Sequence, residues 1–194
     1  MCGVELLDVP ADAPPVFLAM LADLRAAPLR TDVLVEQVPA PRRLAPSAVA
    51  LSADVVAGGE DVASGRFVLL HDPLGQDGWE GTVRVVTLAR AALEAELATD
   101  PLLGRAGWSW LEEALASRGV RAGALSGTVT RVVSESFAGL AERPASVEVE
   151  VRGSWTPPPD DVGTSLQAWA DVMCAAGGLP PLPSGVVAFP PRGR

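Results

Sequence analysis

The sequence predicts an α+β domain, an antiparallel sheet of about six strands with three helices in the order αββββαββα. Three observations predict it. Strand-like runs lie between short Gly, Asp and Pro turns, which favours antiparallel neighbours. Three other segments carry apolar residues at helical spacing. The run Ala145 to Trp155 alternates: Val147, Val149, Val151 and Trp155 point one way, and Glu148, Glu150, Arg152 and Ser154 the other. Such a strand has one face in a core and one in water, so the helices are expected together on a single face of the sheet.

The first helix opens around Asp12, Ala13, Pro14 and Pro15, repeats Phe17, Met20, Leu21 and Leu24, and stops at Pro28. Strands are expected over Thr31 to Val38, Ser47 to Val55, Arg66 to His71 and Trp79 to about Leu88, with a Pro-rich link from Pro39 to Pro46. Between Ala89 and Ala98 the Ala and Glu content favours helix, while the strand pattern runs on to Leu93. Asp100 as N-cap, Pro101 at the first helical position and Gly119 as the stop define a second helix over Pro101 to Arg118. Strands Thr128 to Phe137 and Ala145 to Trp155 follow, joined by a turn over Gly139 to Pro144. Leu166, Trp169, Ala170, Met173 and Gly177 mark the third helix. A single domain over residues 14–179 is expected, with flexible ends at 1–13 and 180–194. There is no internal repeat.

Length and charge agree with one soluble unit. At 194 residues the chain fits one domain, and a chain of this size buries about 70% of its unfolded surface. It carries 24 acidic and 15 basic side chains, a net charge of -9. That balance argues against duplex DNA or an anionic membrane as partner, since both are bound through a basic footprint. There is no Lys, Tyr, Ile or Asn, every basic residue is Arg, and His71 is the single histidine. The missing types have AT-rich codons, which implies a GC-rich bacterial genome. The same absences remove Schiff-base and phosphate-loop lysines, tyrosine acids and magnesium-holding asparagines. Glu5 and Asp8 stand where a secretory signal would carry basic residues, and the uncharged stretch from Val172 to Pro191 is broken by Gly and Pro. A cytoplasmic location is expected.

Each constellation capable of chemistry has a plainer alternative. Met1, Cys2 and Gly3 are similar to the start of enzymes with an N-terminal cysteine nucleophile, but the oxyanion-hole asparagine that often accompanies it has no counterpart here, and a frayed terminus is the simpler explanation. His71 and Asp72 form the one imidazole-carboxylate pair. With a single His and Cys2 far from Cys174, no metal site and no cofactor are expected, and no Gly-x-Ser-x-Gly elbow completes a triad. Asp72 is expected to start a turn, with His71 structural. Glu148 and Glu150 sit on one strand face about 7 Å apart, a spacing compatible with paired-carboxylate hydrolysis; Arg84, Arg90 and Arg131 are expected to answer them in cross-strand pairs. Trp108 and Trp110 project about 160° apart on the second helix, giving it two apolar stripes. One stripe faces the sheet, and the Trp110 stripe is covered by another helix or by a partner. Cys174 is expected to be a small buried hydrophobe.

The segments GRFVLLHDPLGQDGWEGTVRVVTLARAALEAEL, DPLLGRAGWSWLEEAL, SGTVTRVVSESFAGLAERPASVEVEVRGSWTP and LQAWADVMCAAGGLPP, with the PAPRRLAP link and the LRTDVLVE strand, resemble an actinobacterial family known as domain of unknown function 3000. The resemblance runs from about Pro15 to Pro181. It implies an actinobacterial cytoplasmic protein and carries no functional residue with it.

No convergent catalytic set is present, so a non-catalytic binding or regulatory module is the preferred function. The alternative is a hydrolase or transferase acting on a small anionic substrate through Arg, His and carboxylate groups. Arg66, His71, Asp72, Trp79, Arg84 and Trp110 are the candidate ligand or partner contacts, with no catalytic residue assigned. A protein partner, a second copy of the chain or a small anionic ligand are the partner classes left, with nucleic acid and membrane set aside.

Overall fold

The structure, a computed structural model, describes residues 13–181. The expected Asp12 helix start, the Met1-Cys2-Gly3 terminus and almost all of the two expected flexible ends lie outside the described residues. The first helix, α1 (Pro15–Ala26), is followed by β1 (Val33–Val38), β2 (Ser47–Ala57), β3 (Glu60–His71) and β4 (Val83–Leu93). A short 3-10 turn, Ala95–Thr99, leads to α2 (Leu103–Ser117). Then come β5 (Gly123–Ser134), β6 (Ser146–Thr156) and α3 (Val162–Ala176). The fold is α+β, with six antiparallel strands in the order β1-β2-β3-β4-β6-β5. β6 is thus inserted between β4 and β5, and β5 is an edge.

The three helices lie on one face. α1 buries Phe17, Met20, Leu21 and Leu24, the stripe that its spacing predicts. Its Asp23 carboxylate accepts from the Gly163 N–H at 2.6 Å, satisfying one of the orphan donors at the start of α3. α3 is buried nearly all round, because it packs on both other helices and on β3 and β4. Its Trp169 stacks at a tilt on Phe67, and the indole N–H donates to the Leu88 carbonyl at 2.9 Å. An ion pair between Arg118 and Asp171 at 2.7 Å ties the end of α2 to α3.

Two glycines let the helices come this close. A Cβ on Gly65 would stand 2.5 Å from the Leu88 carbonyl oxygen and 2.6 Å from Met173 Sδ. One on Gly153 would stand 2.5 Å from Leu111 Cδ2 of α2. The sheet is therefore shaved where α3 and α2 cross it, and the helix side chains fill the space.

Several boundaries differ from those the sequence suggests. β3 begins at Glu60, well before Arg66, since Gly58 and Gly59 at positive φ make a tight turn between it and β2. β4 begins at Val83, so Trp79 lies in the preceding loop. β5 begins at Gly123 and ends at Ser134, with a register shift between Gly123 and Ser126 where Ala124 has φ of 46°. Asp100 does not cap α2. Its carboxylate accepts from the Leu102 N–H at 2.8 Å in a preceding turn, and the helix starts at Leu103.

Gly65→Ala is expected to lower stability by about 1–3 kcal/mol, because the nearest atom to the new Cβ is backbone and cannot swing away. Urea unfolding of the variant checks it, and an unchanged midpoint would show that the β4 backbone and α3 do not crowd this position.

Candidate functional site

Each candidate residue has a definite place in the sheet. In β2, β3, β4 and β6 the odd-numbered residues of the regular ladders face the helices, among them Leu51, Phe67, Val85 and Val151, while the even-numbered ones face away. Arg66 and Arg84 are even and project from the open face. His71 is odd and lies on the helix side, where it is 3% exposed and stacks on Phe17 with ring centroids 6.2 Å apart. Arg66, Arg84 and His71 therefore do not share a face.

Burial pushes the His71 imidazole below its ordinary value, and the Asp72 carboxylate pulls the other way. Its Nδ1 has no hydrogen-bond partner among the described residues. Asp72 starts the turn that its position suggests: one carboxylate oxygen accepts from the Leu74 N–H at 3.1 Å, the other from the Gln76 side chain at 3.1 Å. Gln76 also donates to the Leu44 carbonyl at 2.8 Å, which ties the β3-β4 loop to the β1-β2 loop. Trp79 in that same loop packs over Ala50, Val68 and Leu70, so these two loops cover one end of the open face.

Beyond them the open face carries a depression of about 250 Å³. Val68, Val86 and Leu88 supply its apolar lining, with Arg66 and Arg152 on one row and Ser126 and Ser154 on the next. Ladder pairing sets these rows: Ser126 lies opposite Ser154, Ser154 opposite Val86, and Val86 opposite Val68. The adjacent row runs Arg152, Leu88, Arg66.

Arg84 lies next to Leu70 in the neighbouring row and is 8% exposed. Its guanidinium donates to the Ala124 carbonyl at 3.0 Å, to Thr156 Oγ1 at 3.3 Å, to Ser126 Oγ at 3.3 Å and to Ser154 Oγ at 2.7 Å. All four acceptors are neutral. Among the described residues no carboxylate lies within 4.0 Å of it, and burial lowers its pKa while the more distant Glu80 raises it. The unusual backbone at Ala124 belongs to this arrangement, since the bulge that it forms aims its carbonyl at the cation.

Further along the face the charges are paired. Glu150 is 6% exposed and accepts from Arg90 and from Arg152, the latter at 2.8 Å; the Arg90 hydrogen bond is the main reason its carboxyl is held below the usual range. Glu148 lies 3.9 Å from Arg90. The expected answer to the two glutamates thus comes from Arg90 and Arg152. Arg84 is engaged elsewhere, and Arg131, opposite Val149, has the other parity and donates to the Asp100 carbonyl at 2.9 Å.

Trp110 stands apart from all of these in the helix layer. It is half-buried and packed against the main core, as is Trp108. Cys174 is buried, and burial pushes its thiol up to about 11. Among the described residues no group of three or more His, Cys, Asp or Glu side chains is placed to hold a metal, and no helix is long and apolar enough to cross a membrane.

The sequence singles out Arg66, Trp79 and Arg84 on this face but not Val68, Val86, Leu88, Ser126, Arg152 or Ser154. The signal for the first three of those was present. Phe67 to Leu70 and Val85 to Leu88 lose the alternation of apolar and polar residues, the mark of a strand with apolar surroundings on both faces.

The arrangement is that of an α+β protein with one sheet face under helices and the other bearing an arginine- and serine-edged apolar depression. The chain belongs to the family described as protein of unknown function (DUF3000), whose model matches residues 13–187. No curated protein and no solved structure matches it.

Two outcomes test these placements. The folded state resists protonating His71 more than the unfolded chain does, so the stability that its neutral form contributes is complete above about pH 6.5 and is lost as pH falls towards the depressed folded value. His71→Leu should flatten that part of the stability curve between about pH 8 and 5, read by urea unfolding. Equal slopes in both proteins would show that the folded state protonates His71 freely. Trp110→Ala should cost about 2–3 kcal/mol of stability without changing the sedimentation coefficient, because the ring packs within its own chain. A full melting temperature with altered sedimentation would place the ring at an interface instead.

Proposed function

We propose that the protein is a non-catalytic binding module whose open sheet face takes a small ligand with an apolar body. One observation carries this reading: Val86, 39% exposed, lies in the middle of a sheet beside Val68 and Leu88, with no helix above it and arginines around it. Apolar groups at the centre of a sheet are ordinarily covered, and a concave apolar surface with a few convergent polar groups is the usual form of a ligand site. The volume falls below the range of about 300–1,000 Å³ typical of drug-sized ligands, which fits a single ring or a short acyl chain. The same reading makes the chain one cooperative domain, since helices and strands contribute to a shared core from Phe17 to Ala176. The missing AT-rich-codon residues agree with the actinobacterial origin that the family resemblance implies, the acidic N-terminal sequence supports a cytoplasmic location, and the -9 charge supports the absence of duplex DNA or anionic membrane partners.

Octanol, a neutral body, tests the face itself. A methyl-resolved NMR titration should perturb Val68, Val86 and Leu88, and Leu88→Asp should abolish the effect while the protein stays folded. Perturbations spread over the helices would overturn the reading. So would unresponsive methyls in a chain that sediments as a dimer, because a second copy would then cover the face.

A further inference from the structure

Four arginines project from the open face along β3, β4 and β6, namely Arg66, Arg84, Arg90 and Arg152, and it also bears Glu148 and Glu150 on β6, Asp54 on β2 and Glu36 on β1. Glu148 and Glu150 lie near Arg90, and Glu150 also takes Arg152. At the other end of the face, Arg66 and Arg84 have no carboxylate within 4.0 Å among the described residues. A guanidinium with no carboxylate in contact keeps its capacity for a charge-assisted hydrogen bond or ion pair with an anion that arrives.

Arg84 is the most constrained of these cations. It is more than nine-tenths buried and its four hydrogen-bond acceptors are neutral, with Glu80 acting only from a distance, so an anion brought close to it would be strongly attracted. It does not line the depression directly. Ser126 and Ser154 do, and both accept hydrogen bonds from its Nη2. The two hydroxyl oxygens are 3.2 Å apart, so one of them donates to the other. Each oxygen spends lone pairs on the guanidinium or its neighbour, and one O–H is left for the depression. A hydroxyl that accepts from a cation is a better donor on its far side, because hydrogen bonds in a chain polarise one another. Thr156 cannot compete for this role, as its hydroxyl already donates to the Trp79 carbonyl.

Resting on the open-face reading, we infer that Arg84, Ser126 and Ser154 form the head-group site for a small carboxylate whose apolar body lies on Val68, Val86 and Leu88. The buried guanidinium supplies the charge and the serine pair delivers it. Arg66 and Arg152 are exposed at the side of the depression, and Arg66, which is not paired with a carboxylate as Arg152 is with Glu150, adds attraction at longer range.

Octanoate and octanol, titrated separately into the full chain and followed at the same methyls, test this. Octanoate should bind about tenfold or more tightly than octanol, the scale of one charge-assisted hydrogen bond in a partly exposed site. The double variant Ser126→Ala with Ser154→Ala should bring octanoate down to the octanol level and leave octanol unchanged. Arg84→Met should do the same; if that protein fails to fold, the serine double variant decides. Octanol binding with no preference for octanoate overturns the head-group assignment and leaves the open-face reading standing. Absence of binding by either compound overturns both. A preference that survives the serine variant and vanishes in Arg66→Gln or Arg152→Gln assigns the anion to the exposed arginines and overturns the role of Arg84. Octyl phosphate bound more tightly than octanoate overturns the choice of a carboxylate.

Discussion

Along the regular ladders of the sheet, residues pair odd with odd and even with even, and this constraint sorts the chemistry of the protein onto two sides. Side chains alternate with a period of two, so a one-residue slip in any strand would exchange its core face for its open face. The parity breaks at Val55/Val56 and at Gly123/Ser126, both near strand ends, where a bulge does not disturb the centre. Everything else follows from this register. Phe67, Val85, Val151 and Trp155 meet the helices; Arg66, Arg84, Arg152 and Ser154 do not. The single imidazole is on the first side and the convergent arginines are on the second.

Where a strand alternates strictly, the sequence shows its structure. β6 is such a strand, and which of its residues face the helices is legible one by one, although Glu150 on the other face is buried in its pairing with Arg90 and Arg152. The stripes of α1 and α3 are equally plain, since Phe17, Met20, Leu21 and Leu24, or Leu166, Trp169 and Met173, recur at helical spacing. β5 is not legible in the same way. Its first residues, Gly123 to Gly127, hold two glycines and an irregular backbone, and its edge position gives no second neighbour to impose a buried pattern. The start of α2 misleads for a different reason. Asp100 followed by Pro101 satisfies a turn as well as a helix start, and local chemistry alone does not distinguish the two.

The depression was half legible. Arg66 and Arg84 stand out as lone charges in apolar runs, but Ser126 and Ser154, opposite each other on the paired strands β5 and β6, reach Val86 and Arg84 only because β6 returns between β4 and β5. That crossover is a property of the whole sheet. No window of sequence around either serine contains it. The apolar lining left a clearer trace, as Val68, Val86 and Leu88 each occupy a position where an exposed strand face would carry a polar residue. Two-sided apolar strands in an antiparallel sheet are thus worth reading as a sign of a second occupied surface.

The polarity of the hydrogen bonds on the open face decides what kind of chemistry these residues support. A nucleophilic serine must give its proton to a base, as in a triad where imidazole accepts from the hydroxyl. Here Ser126 and Ser154 accept from a guanidinium, and the imidazole that would have to serve as base lies across the sheet against Phe17. The thiol of Cys174 is buried in the core, with its pKa raised to about 11, so it stays protonated and packs as an apolar group. On the same face, Glu150 is held ionised by Arg90 and Arg152 and has no tendency to take up a proton near neutrality. Donors are fixed and charged and acceptors are already engaged. On the proposed reading, such a surface stabilises an anion that is brought to it, and its serines donate to that anion rather than attack it.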